Sequence, residues 1–410
     1  MEKDLKIFAN KLTLDQKAVD QIYNLLEQEA FANAKVRIMP DVHAGKGCVI
    51  GFTADLGEKV IPNIVGVDIG CGVLVYELGK IDIDFEKLDK AIRENIPSGF
   101  NIRTNLEQFY YEEVEDFLTS LYCFNNIHNK EHIFNSLGTL GGGNHFIEVN
   151  EDIDGNKYLV IHTGSRNLGK QVAKIYQDLA IKSKKTVKKE DRNELISRLK
   201  AENRHAEISS ELCKLTPKVE IPDDLAYLEG ENRNHYLNDM EICQRFAEAN
   251  RNFIANTICN KMGWIEINHF QSVHNYISFT DGIVRKGAIS AHEGERVIIP
   301  INMQQGSLIG VGKGNLDWNN SAPHGAGRAL SRSQAKETLT MEDFRHDMKD
   351  IFSTSVDEST LDESPRAYKP IQDILDFIGE SVEVEKIIRP IYNFKASGQK
   401  RPWDKSSKFD

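Results

Sequence analysis

Apolar positions along the chain alternate between helical and extended spacings. Over residues 13–31, Val19, Ile22, Leu25 and Leu26 form a stripe, and Thr13 followed by Gln16 resembles a capping box, which predicts an opening helix. Apolar, β-rich runs at 36–39 and 48–53 predict strands around the turn PDVHAGKG, and further strands are predicted at 73–78 and 158–162. Residues 85–94 read as a helix. From 168 to 260 the texture is helical and polar, and Ile242, Phe246, Ala249 and Phe253 recur at helical spacing, which reads as core packing. Short strands return from 276. Asp281-Gly282 sits at a hairpin-turn position, 297–301 and 307–311 read as strands, and helices follow near 341–352 and 369–378. Strands and helices mix without regular βαβ alternation, so the predicted class is α+β, with mixed β-sheets flanked by helices. No repeat or Pro/Ser-rich linker divides the chain. Residues 1–410 read as one domain with a helical peripheral region over 168–260, most charged at 183–222, and a loosely ordered polar tail at 396–410.

Composition narrows the class. The chain has 410 residues, 40% hydrophobic and 28% charged, ample for a sizeable core. No run approaches the roughly 18 apolar residues of a membrane span, and MEKDLKIFAN has no signal-peptide core, so a cytoplasmic protein without membrane contact is expected. Cys48, Cys71, Cys123, Cys213, Cys243 and Cys259 are scattered without a CxxC pair, so thiols rather than a disulfide framework are expected. The net charge of −11 argues against bulk nucleic-acid binding through phosphate contacts, while leaving room for a local basic channel.

Candidate chemistry concentrates at 62–72, PNIVGVDIGCG. Asp68 and Cys71 stand three apart among glycines that let backbone fold closely round an ion. Taken alone, that pair also suits a structural turn with a core thiol. Histidines in glycine- or asparagine-rich settings extend it: His145 in GGGNHFIE, His162 in IHTGSRNLG and His274 in SVHNY, with His43 in a similar setting. Asp68, Cys71, His145, His162 and His274 are one too many for a closed tetrahedral zinc site. They fit two ions sharing a bridging group, and Cys71 is the cysteine placed to bridge. Carboxylate and imidazole suit manganese or zinc, and the thiolate pulls toward zinc. Paired ions of this kind serve phosphoryl transfer. His324 stands apart in HGAG, where Gly325, Ala326 and Gly327 offer N–H groups to an anion and Arg328 and Arg332 follow. Its imidazole could attack phosphorus and hold a nucleotidyl group, although a metal-ligand or plain loop role stays open on local sequence. GKGCVIG and VGVGKGNL lack the phosphate-loop pattern, and GGGNHF is not GxGxxG.

In this order, PDVHAGKGCVIGF, VGVDIGCG, LGTLGGGNHFIE, HTGSRNLG, HNY, RKGAISA, HGAGRALSR and AYK resemble the RtcB family of GTP-dependent RNA ligases, over about residues 36–396. The resemblance implies an RtcB-type fold around a central two-metal site. It implies joining of RNA 2′,3′-cyclic phosphate or 3′-phosphate ends to 5′-hydroxyl ends, through a histidine guanylate formed from GTP, in RNA splicing or repair. Two manganese ions would serve these steps, with zinc as a substitute. His324 matches the guanylylated histidine, and Asp68, Cys71, His145, His162 and His274 match the metal ligands. Asn144, His145, Phe146, Ile147 and Glu148 match the guanylate-contacting NHFxE motif, with Asn275 beside His274 in the same role. Ser307 matches a nucleotide-contacting serine, Tyr368 a tyrosine stacking on guanine, and Lys395 a lysine that reaches the nucleotide. Glu148 could accept from guanine N–H groups, which ATP does not offer in that pattern.

The chain departs from the family in three places. Pro300, Ile301, Asn302, Met303 and Gln304 stand where PGSMG is common, in a nucleotide-contacting loop. Val273 precedes His274 where a second histidine is common, and a tail follows Lys395 where compact members stop. The expected partners are the RNA ends and GTP, with a monomeric enzyme and room for an activating protein. The competing readings are a two-metal phosphoesterase that opens cyclic ends without joining them, and a non-catalytic RNA scaffold. The esterase needs neither His324 nor Lys395.

Overall fold

A computed structural model describes residues 3–10, 14–105, 108–185, 189–214 and 221–397. Its strands, numbered along the chain, are β1 (Leu5–Ile7), β2 (Val36–His43), β3 (Ile50–Asp55), β4 (Gly72–Gly79), β5 (Phe146–Glu151), β6 (Lys157–Thr163) and β7 (Asn268–Val273), followed by β8 (Asn275–Ile277), β9 (Ile283–Lys286), β10 (Ala288–Ser290), β11 (Arg296–Asn302), β12 (Gly306–Gly312), β13 (Ser321–Pro323) and β14 (Val382–Phe394). Seven form one sheet in the order β11-β12-β14-β5-β6-β4-β7. Its outer strands approach each other, and Ile298 N donates to Ser272 Oγ at 3.1 Å across the gap, so the sheet nearly closes.

Successive side chains on these strands point to opposite faces. Val73, Val75, Phe146, Val160, Ile298, Ile309 and Ile388 fill the inside of the curved sheet. Leu74, Ile147, Val149, Leu159 and Ile161 face outward into a second apolar cluster shared with helix Phe85–Asn95 and the 33-residue helix Gly230–Met262. Both faces are buried, which is why these strands read as near-continuous apolar runs. A five-stranded sheet, β1-β2-β3-β9-β8, and the pair β10-β13 complete the α+β arrangement.

The predicted hairpin is present: β8 and β9 pair antiparallel across Asp281-Gly282. The opening helix is shorter than 13–31. It spans Gln16–Leu26, and Asp15 caps it by accepting from Lys17 N. A 3-10 turn follows at Glu29–Phe31, and Thr13 lies outside the described residues. The helix predicted near 341–352 ends at Asp347, and that near 369–378 begins at Ile371, after Pro370. Residues 168–260, expected to be peripheral, hold helices Arg166–Lys185, Lys189–Ala201, Ile208–Lys214 and Gly230–Met262, and the last of these packs in the core, with Phe246, Asn250, Ile254 and Ala255 fully buried. Strand β14, 13 residues long, escapes sequence reading because charges alternate through VEVEK and Pro390 interrupts it. That proline sits at a register shift between β14 and β5, where a missing N–H is tolerated. Of the predicted tail, Ala396 and Ser397 are described, and the remainder lies outside the described residues. Among those residues no helix is long and apolar enough to cross a membrane.

Candidate active site

Strand register brings the predicted ligands to one end of the seven-stranded sheet. Gly72 on β4 pairs with Thr163 on β6 and Val273 on β7, and Phe146 on β5 pairs with His162. Cys71, His145, His162 and His274 therefore sit at the same ends of four adjacent strands. Lys395 follows β14 there too, since Phe394 pairs with Ile147.

The Asp68–Cys71 turn is held by Cys71 N donating to Asp68 O at 3.2 Å and by Gly70 at φ +71. A Cβ on Gly70 would stand 2.8 Å from Gln244 Cα, so a bulkier residue would displace the helix behind it. From that helix Arg251 donates to Gly70 O at 2.8 Å and Thr163 O at 3.1 Å. Its neighbour Asn250 binds the main chain at Thr139 and Gly164. Two buried polar side chains thus tie together the loops carrying Asp68, Cys71, His145 and His162. In the expected apolar stripe Ile242 and Phe246 are core, but Ala249 and Phe253 are only half-buried, and Asn250 and Arg251 are buried alongside Phe246. Asn275 also serves this scaffold, donating to Asp68 O at 3.2 Å and accepting from Gly287 N at 3.0 Å.

The five candidate ligands form a continuous chain of contacts. Asp68 Oδ2 lies 3.0 Å from His145 Nε2, and His145 Nε2 lies 3.6 Å from Cys71 Sγ. Cys71 Sγ lies 3.2 Å from His162 Nε2, which lies 3.4 Å from His274 Nε2. Cys71 is the middle member. His145 Nδ1 donates to Leu140 O at 2.8 Å and His162 Nδ1 to Asn144 O at 3.2 Å, so both Nε2 atoms face inward, that of His162 with its lone pair and that of His145 against Asp68 Oδ2. Burial, aided by neighbouring histidines, pushes His162 and His274 well below the usual histidine range, leaving neutral imidazoles. Burial followed by Asp68 pushes the Cys71 thiol well up in the absence of a cation. Asp68 Oδ1 is buried without a hydrogen-bond partner, and Gly164 leaves room for it: a Cβ there would lie 2.2 Å away. Converging lone pairs, a central thiol and an orphaned carboxylate oxygen are a donor set that fits a divalent metal.

His324 stands beside the ligands, its ring centroid 4.8 Å from that of His274. Its Nδ1 donates to Asp41 Oδ2 at 2.6 Å, and its main-chain N–H donates to the same oxygen at 3.2 Å. That arrangement leaves Nε2 with the lone pair. Asp41 is fully buried. It lies in the PDVHAGKG run, but the pairing joins distant strands, so no local pattern announces it. His43 lines the cavity and its Nδ1 contacts Asp41 O at 2.9 Å, outside the ligand chain.

A cavity of about 330 Å³ opens over this cluster. It is lined by Asp68, Cys71, His162, His274, Asn275 and His324 together with Asn144, Phe146, Glu148, Pro300, Ile301, Asn302, Met303, Gly325, Ala326, Gly327, Tyr368 and Lys395. His145 is buried and is not part of that lining. Ile147 does not reach it, because β5 alternation turns its side chain into the outer core. Ser307 is buried outside the lining, its Oγ without a partner. The unusual 300–304 segment ends strand β11 at Asn302 and then turns back toward β12. Asn302 Oδ1 accepts from Gln304 N at 3.0 Å and Gln305 N at 2.8 Å, and Met303 packs with Phe344, Met348 and Leu361. Glu148 accepts from Asn393 Nδ2 at 2.6 Å and Asn150 Nδ2 at 3.3 Å. Burial pushes its carboxyl up to about 7 against those amides. Sequence reasoning also missed Glu363, a buried carboxylate contacting Tyr368, Lys395, Arg328 and Arg332.

The family model described as tRNA-splicing ligase RtcB matches residues 21–396. The RNA-splicing ligase RtcB of Escherichia coli K12 is 30% identical, with 94% of this chain and 96% of that protein covered. RNA-splicing ligase RtcB1 of another Escherichia coli strain has the same identity and coverage. The tRNA-splicing ligase RtcB of Nanoarchaeum equitans is 28% identical, with 86% of each chain covered.

Proposed function

The chain belongs to the RtcB family, and from that premise we propose that it is an RNA ligase of splicing or repair. The finer proposal is GTP-dependent joining of 3′-phosphate or 2′,3′-cyclic phosphate ends to 5′-hydroxyl ends through a guanylate on His324. One observation supports the nucleophile above all others: the 2.6 Å contact of His324 Nδ1 with Asp41 fixes the tautomer and turns Nε2 into a lone-pair donor.

In the first step, Nε2 attacks the α-phosphorus of GTP. The N–P bond forms, the α–β P–O bond breaks, and pyrophosphate leaves. Asp41 orients the ring and stabilises its positive charge. An oxygen of the RNA 3′-phosphate then attacks the same phosphorus and breaks the N–P bond, giving an RNA end capped by guanylate. The 5′-hydroxyl attacks the RNA 3′-phosphorus, expels GMP and loses its proton as the phosphodiester forms. A cyclic end takes up water first to give the 3′-phosphate.

Asp68, His145 and Cys71 would hold one Mn²⁺ ion, and Cys71, His162 and His274 a second, with Zn²⁺ as a substitute. Such ions supply charge stabilisation at phosphoryl oxygens and a more acidic bound hydroxyl. Around them, Tyr368 offers a face to the purine and Glu148 accepts from guanine N–H groups. Lys395 brings positive charge to the phosphates.

The test is labelling with radioactive GTP and Mn²⁺. Wild-type protein should acquire an acid-labile guanylate, and His324→Ala should not. Metal-loaded wild-type protein that stays unlabelled while opening cyclic phosphates would replace this reading with the phosphoesterase.

A further inference from the structure

Glu363 ends the 3-10 helix Glu358–Glu363 and is only 2% exposed. Its Oε2 accepts from Tyr368 OH at 2.5 Å and Lys395 Nζ at 3.2 Å. Its Oε1 accepts from Arg328 Nη1 at 3.3 Å and lies 3.4 Å from Arg332 Nη2. Those four partners line the cavity, and Glu363 stands behind them. Resting on the guanylyl-transfer reading, we infer that Glu363 is a positioning residue for the nucleotide, one buried carboxylate that sets Tyr368, Lys395, Arg328 and Arg332 against it together.

The four partners come from three separate stretches of chain; a β-bridge joins Arg328 to Tyr368 through the main chain, and Glu363 is the group that links their side chains to those of Lys395 and Arg332. A carboxylate has about four lone-pair sites; here three accept hydrogen bonds, and Arg332 adds an ion pair on the oxygen that has one site left. Charge points the same way. Three cations crowd one spot and would repel one another in a low-dielectric site without an anion among them. Asp362 relieves part of that load at Arg332, 3.7 Å away, and also pairs with Lys336. With Glu363 in place the group keeps a net positive charge toward the cavity, as a polyphosphate requires. Burial alone would raise the Glu363 carboxyl, but Lys395, Arg332, Tyr368 and Arg328 hold it down to about 2, so it is an anchor rather than a proton carrier.

On the guanylyl-transfer reading the anchored groups would meet the purine and phosphates rather than the bond being broken. Loss of the anchor should therefore weaken binding more than chemistry. Initial rates of His324 guanylylation against GTP concentration, in the full metal-loaded chain, test this. E363Q should raise KM for GTP by about tenfold or more with kcat within about threefold, and E363D should recover part of the loss. Bound metal should match wild type, while loss of the buried anion should lower the melting temperature of E363Q without unfolding the chain at assay temperature. Y368F, which keeps the ring and removes one link, should raise KM by about threefold, and it supplies the test if E363Q does not fold. Wild-type KM in E363Q or in Y368F, or a fall in kcat at unchanged KM, overturns the inference. A metal-loaded wild-type protein without label would instead remove the guanylyl-transfer reading beneath it.

Discussion

Asp41 and His324 are separated by 283 positions in the chain and meet at 2.6 Å between Oδ2 and Nδ1. The acceptor is fully buried and also takes the His324 main-chain N–H, so ring and backbone are oriented by one atom. Asp41→Asn keeps the shape but presents an amide where an acceptor is needed, favouring the wrong tautomer. Guanylylation should fall by about 10²–10⁴-fold with bound metal unchanged. Quenched-flow labelling with metal analysis checks this, and a near-normal rate in Asp41→Asn would remove Asp41 from the proposed mechanism.

Cys71 is the centre of the ligand chain, between His145 at 3.6 Å and His162 at 3.2 Å. Cys71→Ala should therefore deplete both ends of the site rather than one. Mass spectrometry under native conditions and elemental analysis should show most of the bound metal gone, along with activity. An unaltered metal-to-protein ratio would reject the shared thiolate.

Residue type and setting made much of this site legible. His145, His162 and His274 stand beside glycine or asparagine rather than on apolar helix faces, and a β-rich run marks the strand that carries His162, whereas β5 after His145 and β7 before His274 were not read as strands. Contacts between distant stretches were not legible. Asp41 was visible as part of a turn, but its role depends on His324. Asn250 and Arg251 looked like ordinary polar helix residues until their contacts with the ligand loops were in place. Glu363 lies in a polar stretch whose four partners converge only through the fold. In β14, alternating glutamates hid a strand that is central to the sheet and leads into Lys395.

Gly164 makes room for Asp68, a proposed metal ligand. A Cβ at this position would lie 2.2 Å from Asp68 Oδ1. Gly164→Ala should push Asp68 aside, costing about 1–3 kcal/mol of stability and weakening metal affinity by about 10–100-fold. Metal titration and thermal unfolding measure the two effects separately. Wild-type metal affinity in a folded Gly164→Ala protein would mean that Asp68 does not need this space to act.

Burial pushes the Glu148 carboxyl up to about 7, so under the proposed guanine-reading role the discrimination should depend on pH. Its proposed role requires the carboxylate, because guanine presents N–H donors. Below about 7 the free protein holds a proton there that must leave on binding, so GTP affinity should rise with pH and level off above that value. The guanine-specific part should change by about tenfold between about pH 6 and about pH 8. Titration of the phosphates, metals and histidines affects ATP as well, so the GTP-to-ATP affinity ratio isolates it. Glu148→Gln should flatten that ratio across the range. A constant ratio in wild-type protein would show that Glu148 does not read the base as a carboxylate whose proton is lost on binding.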